Sequence, residues 1–147
     1  MLRIERSSRH DIDRLRAFDP YAQISDARFR QFTAWASAGQ VQIGVVDGDV
    51  AGIAVLTDAF FQQPFIELLL VGEAYRRQGL GRALVEHCVA VSPGQKIWTS
   101  TNTSNAAMRA LLAKAGFIES GRVDNLDEGD PELIFVRLPT GAPRQPS

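Results

Sequence analysis

The chain has 147 residues, of which 45% are hydrophobic and 22% are charged, and its formal net charge is −1. This length and composition are typical of one globular domain with its own core, and the near-zero charge argues against general nucleic-acid binding, which needs a basic surface. The single cysteine, Cys88, excludes an intramolecular disulfide and a cysteine-built zinc site.

We expect a cytoplasmic protein with no membrane partner. No apolar run approaches the length of a membrane span, and the first five residues lack the apolar core of a signal peptide. The small net charge conceals an uneven distribution. Arg76, Arg77 and Arg82 crowd one glycine-containing turn, whereas five carboxylates lie between Asp124 and Glu132.

The first part of the chain predicts a strand followed by two helices and a hairpin. Residues 2–5 alternate as in a short strand, and Ser8 and Ser25 are placed to cap helices that end at Asp19-Pro20 and at Gly39. Two β-rich segments, 41–46 and 50–56, then flank Asp47-Gly48-Asp49, which is a strong signal for a hairpin turn.

The segment from Ile66 to Val91 organises the rest of the chain. An apolar run at 68–71 predicts a buried central strand, and the polar turn at 76–81 leads into a helix that begins near Leu80. Unpaired backbone N–H groups and the helix dipole make such a junction a binding site for an anion. A tight turn with no ligand is the alternative interpretation.

The remainder predicts a strand at 96–101, a helix opened by residues 102–104, and two strands at 117–123 and 133–138. The order β-α-α-β-β-β-α-β-α-β-β indicates an α/β (α+β) fold, with a mixed sheet and helices on its faces. Residues 1–138 are expected to form a single domain. The Pro- and Gly-rich tail, 139–147, is expected to be disordered.

Two sequence blocks carry a family resemblance. The turn lacks the dinucleotide-binding and P-loop patterns. Arg76-x-x-Gly79-x-Gly81, after a strand that ends at Val71, instead resembles the pyrophosphate-binding signature of the GNAT-type acyl-CoA N-acyltransferases. Asn105 with Met108, Leu111 and Lys114-x-Gly116-Phe117 resembles the second block of that family, and NLDEGDPEL at 125–133 resembles a bacterial subgroup.

The resemblance implies a mostly antiparallel sheet and acetyl-CoA as the acyl-donor cosubstrate, without a metal. Backbone N–H groups of the turn would hold the pyrophosphate, the edge of the central strand would pair with the pantetheine arm, and Asn105 would hydrogen-bond it. Helix capping is the alternative role for Asn105. The implied cofactor-binding residues are Leu69, Leu70, Val71, Arg76, Arg77, Gln78, Gly79, Leu80, Gly81, Arg82 and Asn105.

Glu67 is the candidate catalytic base. A protonated amine cannot attack a thioester, so a base must remove a proton, and the oxyanion needs a donor such as a backbone N–H near residues 69–71. Glu67 interrupts an apolar strand and matches a frequent acidic position of the family. The alternative is a carboxylate at the start of a strand that faces solvent.

One family feature is absent. The tyrosine that commonly protonates the departing thiolate, seven residues after Asn105, is replaced by Leu112, which fits the apolar core stripe of its helix. Water, Ser104 or Tyr75 would have to donate instead. A thiolate leaves tolerably without such an acid, because the reference pKa of a thiol is about 8.5.

The acidic segment is the candidate acceptor-binding region. In the family this hairpin lies beside the acceptor cleft, so Asp127, Glu128 and Asp130 would attract a cationic amine. A solvated turn is the equal alternative, because these residues stand among turn formers. We expect the large aromatic side chains, such as Phe60, Phe61 and Trp98, to line the core or a cleft.

The sequence therefore predicts an acetyl-CoA-dependent N-acetyltransferase, an acyltransferase that transfers groups other than amino-acyl groups. A primary amine, in a small molecule or a peptide, would attack directly in a ternary complex. The alternative is an inactive or weak acetyl-CoA-binding sensor or regulatory module, which the missing tyrosine favours. A homodimer is a further expectation that the family implies.

Overall fold

The structure is a computed structural model that describes residues 1–139. The strands are β1 Leu2–Arg6, β2 Val41–Val46, β3 Asp49–Phe60, β4 Gln63–Val71, β5 Ile97–Asn102, β6 Ile118–Val123 and β7 Glu132–Arg137. The α-helices are α1 Ile12–Phe18, α2 Pro20–Ile24, α3 Asp26–Ser37, α4 Leu80–Ala90 and α5 Ala106–Lys114. No helix in this part of the chain is long and apolar enough to cross a membrane.

The strands are hydrogen-bonded in the order β1-β2-β3-β4-β5-β7-β6. Strands β4 and β5 run parallel, whereas the pairs β1–β2, β2–β3, β5–β7 and β6–β7 are antiparallel. This mixed, mostly antiparallel sheet with flanking helices confirms the predicted fold class. The described residues form two compact units, residues 1–56 with 68–88 and residues 57–67 with those from 89 onward.

The single domain predicted over 1–138 stays a prediction. The predicted disordered tail lies outside the described residues except for Pro139.

Helix α2 is the element that the sequence prediction missed. Asp19-Pro20 was expected to end a helix, but it also begins the next one. The Asp19 carboxylate accepts a hydrogen bond from the backbone N–H of Tyr21 at 3.0 Å, and Pro20 occupies the first turn of the helix. Proline is tolerated there because an N–H at that position has no helical acceptor. The predicted cap at Ser25 is confirmed at α3, whereas Ser8 caps a 3₁₀ turn at Arg9–Asp11 that directly precedes α1.

The first unit is built around an apolar cluster between its helices and strands. Its buried members are Leu15, Ala22, Phe32, Ala36, Val41, Ile43, Val45, Ile53 and Val55. Leu68 and Leu70 of β4 pack against this cluster. Because side chains alternate along a strand, Leu69 and Val71 point to the opposite face. The core therefore holds the part of β4 that leads into the glycine-containing turn.

Gly52 of β3 lies where α4 and β4 approach the strand most closely. A Cβ atom at this position would lie 3.0 Å from the Leu70 carbonyl oxygen and 3.1 Å from methyl groups of both Leu80 and Leu84. Only glycine leaves room for this contact. The close approach fixes the start of α4, which follows the turn, against the strands of the same unit.

Substitution of Gly52 by alanine is expected to reduce the free energy of unfolding by about 1–3 kcal/mol, because the added methyl group overpacks this contact. Urea denaturation followed by circular dichroism measures the change. Asp58→Ala, at an exposed position on the same strand, is the control and should change stability by less than about 0.5 kcal/mol. Equal urea midpoints for Gly52→Ala and the wild type would contradict the packing argument.

The second unit contains β5, β6, β7 and α5, together with the ends of β3 and β4 that meet at a two-residue turn. Burial alternates along β5, with Ile97, Thr99 and Thr101 buried and the residues between them half-buried. Leu112 of α5 is fully buried, which confirms its assignment to the core. The half-buried Ser100 and Asn102, with their half-buried β7 partners Ile134 and Glu132, leave the other face of the sheet partly open.

Candidate active site

The glycine-containing turn has the geometry of an anion-binding loop. A short 3₁₀ turn at Glu73–Tyr75 precedes it, and Arg77 and Gly79 both adopt left-handed backbone conformations, with φ of 64° and 80°. The Ala83 N–H donates to the Gly79 carbonyl at 3.0 Å. The N–H groups of residues 80–82 come before this first helical bond, so α4 supplies no acceptor for them. They are available to an anion.

The arginines of the turn have different surroundings. Arg76 Nε donates to the Val71 carbonyl at 3.4 Å, and Arg82 forms an exposed pair with Glu86 at 3.3 Å. Arg77 is exposed and carries a left-handed backbone that is uncommon for a residue with a side chain. Exposed ion pairs contribute little stability. All three cations therefore remain able to face an anionic ligand.

The Leu80 side chain is buried and Gly81 has none, so only the backbone N–H groups of these two residues are candidates to contact a ligand. Gln78 is exposed, and its side-chain amide donates to the Ala74 carbonyl at 3.2 Å. The predicted strand contacts, Leu69 and Val71, are half-buried on β4. These residues all belong to the first unit, whereas Asn105 belongs to the second.

Asn105 caps α5. Its side-chain oxygen accepts the Met108 N–H at 3.1 Å, which confirms the capping role. Capping uses the Oδ1 atom only. Because the side chain is exposed, its Nδ2 group remains available as a donor, so the capping role and the predicted ligand contact are compatible.

Glu67 follows directly after the point where β4 and β5 stop pairing. The two strands are in register only at Phe65–Trp98 and Ile66–Thr99. Glu67 is half-buried and shares a strand face with Phe65, two residues earlier. A half-buried carboxylate at the end of a strand ladder is suited to proton transfer, and its role as a base stays a prediction.

A second carboxylate on this face was not predicted from the sequence. Ser100 of β5 donates to the Glu132 carboxylate of β7 at 2.8 Å. Ser100 is two residues beyond Trp98, so it faces the same side as the Phe65–Trp98 pair. Glu132 was counted only as one of the acidic residues of the hairpin. The alternating burial of β5 was the available signal, but the partner strand was not predictable from it.

Two of the predicted acceptor-binding carboxylates are used within the chain. Asp127 accepts from the Asn102 side chain at 2.8 Å, and Asp130 accepts from the N–H and hydroxyl of Ser104 at 3.0 and 2.6 Å. These bonds tie the hairpin loop to the junction between β5 and α5. They give Asp127 and Asp130 a structural role, and their attraction of a substrate stays a prediction. Glu128 is exposed.

The side chains considered as proton donors for the departing thiolate differ in burial and in their hydrogen-bond partners. The buried Leu112 contributes no acid, and the Ser104 hydroxyl is engaged with Asp130. Tyr75 is half-buried in the 3₁₀ turn of the first unit. Within residues 1–139, no group of three or more His, Cys, Asp or Glu side chains is placed to hold a metal ion.

Cys88 is buried in α4, and burial raises the pKa of its thiol to about 12 because the thiolate would lose its hydration. We expect the folded protein at pH 8 to react with Ellman's reagent orders of magnitude more slowly than the urea-unfolded protein, because only about one thiol in 10⁴ is ionised four pH units below its pKa. The measurement is absorbance at 412 nm. Rapid stoichiometric labelling without urea would refute this inertness.

Comparisons with known proteins agree with this geometry. A model of the Acetyltransferase (GNAT) family matches residues 9–117. A ribosomal protein bS18-alanine N-acetyltransferase of Escherichia coli K12 is 31% identical over 99 residues, which cover 63% of this chain and 66% of that protein. The matched region therefore spans just under two thirds of the curated relative.

Solved structures extend the comparison to nearly the whole chain. A GNAT-family acetyltransferase from Bacillus cereus is 34% identical, with a TM-score of 0.86 over 95% of this chain and 98% of that one. Diaminobutyrate acetyltransferase EctA from Paenibacillus lautus, solved with L-2,4-diaminobutyric acid and coenzyme A, has a TM-score of 0.74 at 17% identity and covers 99% of each chain. The second likeness shows the fold alone. Membership of the subgroup with the NLDEGDPEL ending stays a prediction.

Proposed function

The chain belongs to the GNAT acetyltransferase family, and from this premise we propose that it is an acetyl-CoA-dependent N-acetyltransferase that acts on a primary amine. The observation that carries the proposal is the turn before α4. Left-handed Arg77 and Gly79 lead into a helix whose first N–H groups have no helical acceptor, with three arginines nearby. This arrangement is suited to a pyrophosphate.

The proposed donor is acetyl-CoA. The turn would bind its pyrophosphate through backbone N–H groups of residues 77–82, and Asn105 Nδ2 would donate to its pantetheine arm. Support comes from EctA, which has this fold and was solved with coenzyme A. The backbone of Leu69 to Val71 is the proposed partner of the pantetheine amides and the source of an oxyanion donor.

The proposed chemistry is direct transfer. Glu67 takes a proton from the ammonium group of the acceptor, directly or through water, and the neutral amine attacks the thioester carbonyl. The C–N bond forms, collapse of the tetrahedral intermediate breaks the C–S bond, and the second proton lost by the amine nitrogen passes, directly or through water, to the departing thiolate. Cys88 is buried and un-ionised, so it is not placed to carry an acyl-enzyme intermediate. No side-chain acid protonates the thiolate from position 112, because that residue is leucine.

The acceptor class is supported by what the similar proteins share. The E. coli relative is named for acetylating an alanine of a ribosomal protein, and EctA binds a diamino acid. Both acceptors present a primary amine. The open face of the second unit, with Glu67 and the Ser100–Glu132 pair, offers negative charge to such a group.

Glu67→Gln is expected to lower kcat about 10²–10⁴-fold and to change its pH profile, because the amide cannot accept the proton. Binding of coenzyme A, measured by calorimetry, should remain unchanged. Glu119→Gln on the exposed strand β6 is the control and should keep wild-type turnover. Unchanged kcat in Glu67→Gln would reject this residue as the base.

An acetyl-CoA-binding sensor is the second candidate, and the buried Leu112 in place of an acid favours it. Two measurements separate the candidates. Saturating acetyl-CoA should raise the melting temperature in either case, because a ligand at 100 times its Kd increases the free energy of unfolding by about 2.7 kcal/mol. Release of free coenzyme A thiol with a panel of primary amines is expected only of the enzyme. Stabilisation with no thiol release from any amine would favour the sensor.

A further inference from the structure

The second unit contains an aromatic pocket that the proposed chemistry does not use. It is an open groove of about 480 Å³ beside the turn that joins β3 to β4. Its apolar wall consists of Phe60, Phe61, Trp98 and Ile134, and polar groups come from Gln63 and Arg122. A volume of this size fits a small ligand rather than a folded partner.

The aromatic side chains of the wall contact one another. The ring of Phe60 lies 4.8 Å from Trp98 and 5.4 Å from Phe65 in tilted stacks, and 5.0 Å from Phe61 edge to face. The Trp98 indole N–H donates to Gln63 Oε1 at 2.6 Å. The contact with Phe60 and this hydrogen bond orient the indole ring of Trp98, while Phe60 itself contacts all three neighbouring rings.

The turn beside the pocket has two energetically unfavourable features, a left-handed backbone at non-glycine residues and an exposed aromatic ring. Phe61 and Gln62 both have left-handed backbones, with φ of 51° and 63°, at a two-residue turn where Asn-Gly is the usual choice. Phe61 is also 85% exposed. A bulky residue is disfavoured in this conformation, and an exposed ring gains little from folding. Strain of this kind is concentrated at ligand-binding sites.

The pocket lies beside negative charge. Phe65 and Trp98 are paired across β4 and β5, and Glu67 and Ser100 are the next residues on that same face of each strand. Two residues along a strand span about 6–7 Å. The Ser100 hydroxyl holds Glu132 at 2.8 Å. The aromatic pair is thus two strand residues, about 6–7 Å, from Glu67 and from the Ser100 that holds the Glu132 carboxylate.

We propose that this pocket binds the aromatic ring of a small arylalkylamine, with the amino group turned toward Glu67 and the Ser100–Glu132 pair. The proposal rests on the proposed N-acetyltransferase function, because it names the acceptor of that reaction. Ring-to-wall contacts select the aromatic group, and the carboxylates select the ammonium group. A linker of two or three carbon atoms spans the distance between the ring and the charge.

Calorimetric titration of the full chain without acetyl-CoA tests the selection of ligand. The probes are 2-phenylethylamine, propylamine and 2-phenylethanol. 2-Phenylethylamine is expected to bind at least about tenfold more tightly than either analogue, since propylamine lacks the ring and the alcohol lacks the charge. Equal dissociation constants for 2-phenylethylamine and propylamine would overturn the proposal. Tighter binding of the peptide Phe-Gly-Gly than of 2-phenylethylamine would overturn the small-molecule assignment.

A matched pair of variants tests the pocket itself. Phe61→Gly removes the exposed ring, and Gln62→Gly relieves the same backbone strain without removing a pocket residue. Both variants should keep or raise the melting temperature, because glycine adopts positive φ without penalty. Phe61→Gly is expected to weaken 2-phenylethylamine binding about threefold or more, and Gln62→Gly should stay within about twofold of the wild type.

Equal binding by the two variants would overturn the role of Phe61. Sedimentation velocity provides a further check, because loss of a dimer in Phe61→Gly with unchanged amine binding would show that the ring contacts a second copy and would overturn the proposal. The results distinguish failure of the proposed transferase function from failure of the proposed amine pocket. Binding as expected with no thiol release would reject the transferase function, whereas thiol release with no preference for 2-phenylethylamine would reject the pocket.

Discussion

The short ladder between β4 and β5 is the constraint on which the proposed chemistry depends. The two parallel strands pair only at Phe65–Trp98 and Ile66–Thr99. At the second pair the Thr99 hydroxyl also donates to the Ile66 carbonyl at 2.9 Å. A backbone that leaves its ladder must find other hydrogen-bond partners, and a ligand with amide groups can supply them. Glu67 stands at the first position beyond the ladder and is half-buried there.

The polar groups around this point divide into structural and available ones. Asp127 and Asp130 are used to attach the hairpin loop to the start of α5, which also carries Asn105. Glu67 and the Ser100–Glu132 pair lie on the partly open face of the sheet. The carboxylates that cluster along the sequence, Asp127 and Asp130, therefore have the larger structural role. Position on the sheet, and not the number of carboxylates, determines which is suited to a cationic ligand.

The prediction of the elements was accurate where turn chemistry is distinctive. Asp47-Gly48 marks the β2–β3 hairpin, and both residues have the positive φ that such turns require. The β3–β4 hairpin has Phe61-Gln62 at the equivalent positions, which carry no turn signal. For this reason β3 was expected to end at Leu56, whereas it continues to Phe60, and β4 begins at Gln63, ahead of the predicted apolar run at 68–71.

The sequence by itself determined the order of the elements apart from α2, the family, and the turn that is suited to a pyrophosphate. These features depend on local pattern, because glycine positions, helix caps and hydrophobic periodicity are set by near neighbours along the chain. The tertiary structure alone decided which carboxylate meets Ser100 and which aromatic rings share a pocket. Ser100 and Glu132 are 32 residues apart, and their contact follows from strand register. A shift of one residue would turn each side chain to the other face.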